Sequence, residues 1–149
     1  MLEEWNDKLT LESIDKIKQF IINTMNGVKQ NKALVFYSTG SRGKTTLVNE
    51  IIEIIGSENS EKLSNIRTSR DKLVGLAKCV NKKLIVFDEY QNNNDLLIKQ
   101  IIGNETVLYE NLNENKKEIK LKGNVILVTN NNPETFETEL KMICDVVTF

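Results

Sequence analysis

The run Ser38-Thr39-Gly40-Ser41-Arg42-Gly43-Lys44-Thr45 sets two glycines, a lysine and a hydroxyl between an apolar segment and an amphipathic one. Glycines let backbone N–H groups turn inward around phosphate oxygens, and a helix beginning at the lysine adds the positive end of its dipole. On that reading Lys44 reaches the β- and γ-phosphates of ATP, and Thr45 offers its hydroxyl to Mg²⁺. The run departs from GxxxxGK[ST] at its first position, where Ser38 stands. A Gly-rich turn that merely precedes a lysine is the plain alternative.

Two further sites follow apolar runs. Leu84-Ile85-Val86-Phe87 delivers Asp88-Glu89, and Val125-Ile126-Leu127-Val128 delivers Thr129-Asn130. Ligands of open α/β sheets sit beyond the carboxyl ends of the strands. Asp88 is therefore expected to hold Mg²⁺ beside Thr45, through water, and Glu89 to orient and deprotonate an attacking water. Asn130 is expected to hydrogen-bond that water or the γ-phosphate. Taken singly, an acidic pair caps a helix and an Asn after a strand is a turn residue. Lys116, Lys117, Lys120 and Lys122 make the most basic stretch of the chain. It reads either as a solvated strand face or as a finger touching nucleic-acid phosphates.

The elements that must position these residues are legible from periodicity. Ile14, Ile17, Ile21 and Met25 fall at helical spacing over 11–26, and Gly27 offers a stop. Ala33–Tyr37, Leu84–Phe87 and Val125–Val128 read as strands buried on both faces. Helices are expected over Thr45–Ile55, 70–80 and Asp95–Ile102, with a weak strand near Leu63–Arg67 and a last strand over Asp145–Phe149. Thr106–Leu112 and Glu118–Lys122 alternate around Asn113-Glu114-Asn115 and predict a β-hairpin. In that hairpin Lys116, Lys120 and Lys122 share one face, Ile119 and Leu121 the other, and Lys117 lies near the turn. The alternation of strand and helix predicts an α/β fold with a mostly parallel sheet flanked by helices.

Composition narrows the chemistry. The chain has 149 residues, enough for one compact domain, with 40% hydrophobic and 28% charged residues. A net charge of -1 confines any nucleic-acid contact to a local patch. There is no histidine, so catalysis must use carboxylates, lysine and hydroxyls, with or without a metal ion. Cys79 and Cys144 form no CxxC, which argues against a zinc site or a disulfide framework and fits a reducing, intracellular compartment. No apolar run approaches the roughly 20 residues that span a bilayer, and no membrane partner is expected.

The order of these pieces resembles superfamily 3 helicases, the AAA+ motors in replication initiators of small DNA viruses and plasmids. The resemblance covers about residues 33–133. Gly40 to Thr46 looks like motif A, Val86 to Tyr90 like motif B, Gly103 through Lys117 like motif B′ and Val128 to Pro133 like motif C. The Rep proteins of circular single-stranded DNA viruses and related plasmids look closest, since they too tolerate a non-Gly start to motif A. The resemblance implies an ATP-binding set of Ser38, Thr39, Gly40, Ser41, Arg42, Gly43, Lys44, Thr45 and Thr46, with Lys44, Asp88, Glu89 and Asn130 catalytic. It implies a hairpin inserted before the sensor strand, hexameric rings on single-stranded or forked DNA, and Lys116 and Lys117 as the DNA contacts. Residues 1–30 then form a helical segment available for oligomerisation, and 31–149 the ATPase core. Two departures matter. The endonuclease that usually precedes this motor needs paired histidines, so it is not expected in this chain. No Arg follows Arg70 to serve as an arginine finger, and Lys141, Arg67 or Arg70 would have to substitute. The rival readings are an ATP-dependent switch or assembly protein without helicase activity, and an RNA-virus ATPase of the same superfamily.

Overall fold

The computed structural model describes residues 2–40, 42–64, 66–110 and 115–149. Helix α1 spans Leu11–Met25, strand β1 Ala33–Tyr37, α2 Lys44–Ile55 and β2 Ser60–Leu63. Then come α3 (Ser69–Lys78), β3 (Leu84–Phe87), α4 (Asp95–Ile102), β4 (Thr106–Glu110) and β5 (Lys116–Lys120). The chain ends with β6 (Asn124–Thr129), α5 (Thr138–Met142) and β7 (Cys144–Thr148). Five strands form one parallel sheet in the order β2-β3-β6-β1-β7, while β4 and β5 pair antiparallel as a separate hairpin.

The apolar runs are continuous because each central strand is covered on both sides. Leu34, Phe36, Leu84, Val86, Ile126 and Val128 face α1 and α2, and Ala33, Val35, Ile85, Phe87, Val125 and Leu127 face a second core built with α3, α4, the hairpin and Leu140. A single-faced sheet would have shown alternation instead. The α/β architecture with a mostly parallel, helix-flanked sheet is thus the one the sequence predicts.

The N-terminal segment is built into the first of these cores. Ile14, Ile17, Phe20 and Ile21 of α1 are buried with Leu47, Val48 and Ile51 of α2, so the segment from Leu2 to Ile21 shares a core with the central sheet. Met25, expected on the apolar face, is 44% exposed, and Phe20 and Thr24 complete that face instead. Polar ties reinforce the junction. Buried Asn124, at the start of β6, donates to Thr24 Oγ1 at 3.0 Å and Val28 O at 2.9 Å, and its Oδ1 accepts from Gln30 N at 2.7 Å. Lys29 Nζ donates to the carbonyls of Leu121 and Gly123, and burial pulls its ammonium down to about 8.

Two expectations need correction, and the strand register then places the hairpin lysines. The weak strand lies at Ser60–Leu63, not Leu63–Arg67, because it pairs with β3 only up to Leu63↔Phe87. Strand β5 starts at Lys116 and ends at Lys120, so Leu121 and Lys122 lie beyond it. Within β5, Lys117 pairs with Tyr109 and Lys116 with Glu110, which puts the two lysines on opposite faces of the hairpin. The core side is set by buried Val107 and Tyr109, so Lys117 shares a face with Ile119, while Lys116 shares the outer face with Glu118 and Lys120. Leu112, Asn113 and Glu114 of the expected strand and turn lie outside the described residues.

Candidate functional site

Strand order decides what the loops can do together. β6 lies between β1 and β3, in register Tyr37↔Thr129 and Phe87↔Leu127. The chain leaving β6 therefore emerges between the glycine-rich loop after β1 and the acidic pair after β3. Residues from all three line one cleft of about 340 Å³, among them Gly40, Arg42, Lys44, Thr45, Asp88 and Asn130. That volume sits within the usual range for small-molecule sites.

The loop's geometry follows from its residues. Gly43 caps α2 at φ 92°, in the left-handed region that a side chain disfavours, and no side chain caps this helix end. A Cβ on Gly43 would also come within 3.1 Å of the Trp5 ring. Trp5 is held there by its indole N–H, which donates to Glu50 Oε2 at 2.9 Å, and by an edge contact with Phe149. The amino-terminal segment thus braces the loop, a role the sequence did not suggest. Ser38 lies buried beneath the loop with its hydroxyl donating to Gly40 O at 2.6 Å. Thr39 is exposed and does not line the cleft, Thr46 lines it, and Ser41 is outside the described residues.

Lys44 is the centre of the cleft. It is 7% exposed, and its Nζ donates to Ser38 O and Thr129 O, each at 3.1 Å, and to Asn130 Oδ1 at 2.5 Å. All three acceptors are neutral. Burial pushes the Lys44 ammonium below its usual range, and the nearby Asp88 carboxylate partly offsets this. A desolvated cation with no hydrogen-bonded carboxylate among the described residues, beside an uncapped helix N-terminus, is suited to an anion with several oxygens.

The acidic turn is strained. Glu89 sits at φ 52°, where a non-glycine residue costs on the order of 1–3 kcal/mol and persists only if its surroundings enforce it. They do so through backbone bonds. Asp88 N donates to Leu63 O and Tyr90 N to Val128 O, each at 2.8 Å, and Glu89 N donates to Asp88 Oδ1 at 3.0 Å. Tyr90 is anchored by its hydroxyl to Asp95 and by edge contacts with Phe87 and Phe136. Both carboxylates line the cleft with Thr45.

A divalent metal here would have few protein ligands. Among the described residues no group of three His, Cys, Asp or Glu side chains could hold one. The Thr45 hydroxyl and the Asp88 carboxylate line one cleft, a sparse oxygen set that fits Mg²⁺, which keeps waters and shares phosphate oxygens.

The remaining expected residues lie elsewhere. Lys116 and Lys117 are on the hairpin, joined to the end of β6 opposite Thr129. Of the cations proposed in place of an arginine finger, Arg70 pairs with Glu110 and Lys141 with Glu134, whereas exposed Arg67 lines a hollow shared with Asp88 and Glu89. Cys79 and Cys144 are free thiols, both pushed up to about 12, chiefly by burial. Among the described residues no helix is long and apolar enough to cross a membrane.

The fold is an α/β one with a parallel sheet flanked by helices, and solved helicase domains are similar to it. The JCV helicase, in a structure with a bound thiazolopyridine acetamide, is similar at 14% identity and a TM-score of 0.69, over 94% of this chain and 42% of that one. The apo C-terminal region of NrS-1 is similar at 17% identity and 0.63, over 90% and 37%. NtrX from Brucella abortus, in complex with ATP, is similar at 15% identity and 0.57, over 93% and 37%. The chain thus spans about two fifths of the length of these solved chains. No curated protein matches the sequence. By sequence the chain belongs to a family of unknown function, DUF5906, whose model matches residues 36–141.

Proposed function

We propose that this chain is an ATP-hydrolysing motor of the superfamily 3 helicase type, working in replication of a viral or plasmid DNA. The observation that carries the reading is the convergence on Lys44. The ends of β1, β3 and β6 bring an underneutralised ammonium, two carboxylates and the Asn130 amide into one cleft. In this reading Gly40 to Thr46 cradle the phosphates of ATP, and Lys44 meets the β- and γ-phosphates. Thr45 and Asp88 hold Mg²⁺, which supplies positive charge against the phosphates. Glu89 takes a proton from the attacking water, and Asn130 exchanges its bond with Lys44 for one to the water or γ-phosphate. Likeness to the JCV helicase and the ATP complex of NtrX supports this use of the fold.

DNA engagement rests on the hairpin and on the family resemblance, and self-assembly into hexameric rings on the resemblance alone. ATPase rate should rise with single-stranded DNA, and sedimentation should shift towards hexamers when ATP and DNA are both present. An ATPase indifferent to DNA, with one unchanging species, supports the switch-protein reading instead. The hairpin lysines give a sharper readout. Lys116→Ala with Lys117→Ala should flatten the salt dependence of single-stranded DNA binding by about two charges and leave basal hydrolysis near wild type. Because the two lysines lie on opposite faces, the single variants tell whether DNA runs along one face or both. An unaltered slope in an anisotropy titration removes the hairpin from the DNA path.

A further inference from the structure

Thr129 is the last residue of β6, 1% exposed, a polar end directly after the apolar run Val125–Val128. Two of its groups, the carbonyl and the hydroxyl, make three bonds to three different parts of the site. Its carbonyl accepts from Lys44 Nζ at 3.1 Å. Its hydroxyl donates to Tyr90 O at 2.8 Å, fixing the turn that holds strained Glu89. The same hydroxyl accepts from Asn131 N at 2.9 Å, fixing the turn that presents Asn130. The hydroxyl is therefore a buried relay with its one proton committed to the acidic turn and a lone pair to the asparagine turn.

We infer that Thr129 is a positioning residue that locks Glu89 and Asn130 into one geometry, so that a shift of either turn is felt by the other. The inference rests on the ATPase reading above. Without the hydroxyl, the Tyr90 carbonyl and the Asn131 amide lose their shared partner, and the two turns can move apart. Lys44 keeps its anchor, because that bond uses the Thr129 backbone. Ground-state nucleotide binding and turnover therefore part company. A misplacement of about 1 Å in a reacting group can cost on the order of 100-fold in rate.

The test uses the whole chain with Thr129→Val, which keeps the shape, and Thr129→Ser, which keeps the hydroxyl. Thr129→Val should bind a fluorescent ATP analogue within about threefold of wild type while kcat falls 10- to 100-fold. Thr129→Ser should recover most of kcat. Amide hydrogen exchange at Asn131 should quicken in Thr129→Val and not in Thr129→Ser, and this needs no nucleotide. Wild-type kcat in Thr129→Val, or an equal loss in Thr129→Ser, overturns the inference. So does a parallel loss of nucleotide affinity and thermal stability, which is what a merely structural threonine would give. A wild-type chain that does not hydrolyse ATP overturns the motor reading instead, and Asn131 exchange still reports whether the relay exists.

Discussion

Glu89→Gln should bind ATP as wild type does and hydrolyse it on the order of 10²- to 10⁴-fold more slowly, the contribution of a general base. The substitution keeps the side chain's size and its carbonyl oxygen, and removes the negative charge together with the capacity to accept a proton from water. Its backbone strain stays, since Gln has the same objection to φ 52° as Glu. A second substitution exposes what that strain is for. Glu89→Gly removes the left-handed penalty while adding unfolded-state entropy, two terms of about 1 kcal/mol each that nearly cancel. The glycine chain should therefore melt no lower than wild type, and hydrolysis should still collapse. A residue held in a disfavoured conformation without benefit to stability is held there for its side chain. Wild-type turnover by Glu89→Gln in a phosphate-release assay would transfer the base to another group, with Asp88 the remaining carboxylate in the cleft.

What the sequence made legible were features with a strong local cause. Strands covered on both faces leave unbroken apolar runs, and β1, β3 and β6 each end at a residue of chemical interest: Ser38, Asp88 and Asn130 follow them directly. The helix bounds at Asp95–Ile102 were readable because Gly103 stops a clean apolar stripe. Less was legible where tertiary pairing sets the outcome. The β2 register depends on β3, and a four-residue strand of sequence SEKL carries no pattern of its own. Hairpin alternation was visible and its phase holds, with Lys116 and Lys120 on one face and Ile119 on the other, but the bounds of β5 depend on what pairs with Thr106–Glu110 and so came out two residues earlier. Trp5 against Gly43 was invisible, since 38 positions of chain separate a lone aromatic from the glycine it braces. Thr129 stood in plain view at the end of a strand, but its importance lies in carbonyl and amide partners that no side-chain pattern encodes.

Lys44→Ala should lower ATP affinity by on the order of 100-fold or more and abolish measurable turnover, with little loss of fold. The binding loss follows from chemistry already visible without a ligand. The ammonium is desolvated, is held below its usual pKa by burial, and among the described residues meets only neutral acceptors at hydrogen-bond distance. A polyphosphate would supply the missing negative charge, and charge-assisted bonds of this kind are worth about 1.5–3 kcal/mol each, more than one being available to a single ammonium. The sign of the pKa shift fixes the effect on the empty protein. Folding lowers the affinity of Lys44 for its proton, so its contribution to stability is least favourable below the folded pKa and improves as pH rises towards the unfolded one. Removing the charge therefore relieves a desolvation cost while taking a donor from the Ser38 and Thr129 carbonyls and the Asn130 amide oxygen, of which Thr129 O keeps the Ser38 N–H at 3.4 Å. Water can enter the vacated side of an open cleft and satisfy them. The two terms oppose, and a net change near 1 kcal/mol corresponds to about 2–4 °C in melting temperature for a chain of this size. Calorimetry with a slowly hydrolysed ATP analogue, beside a thermal melt, checks both halves. Binding that survives in Lys44→Ala would mean that the cleft at the ends of β1, β3 and β6 is not where nucleotide is held.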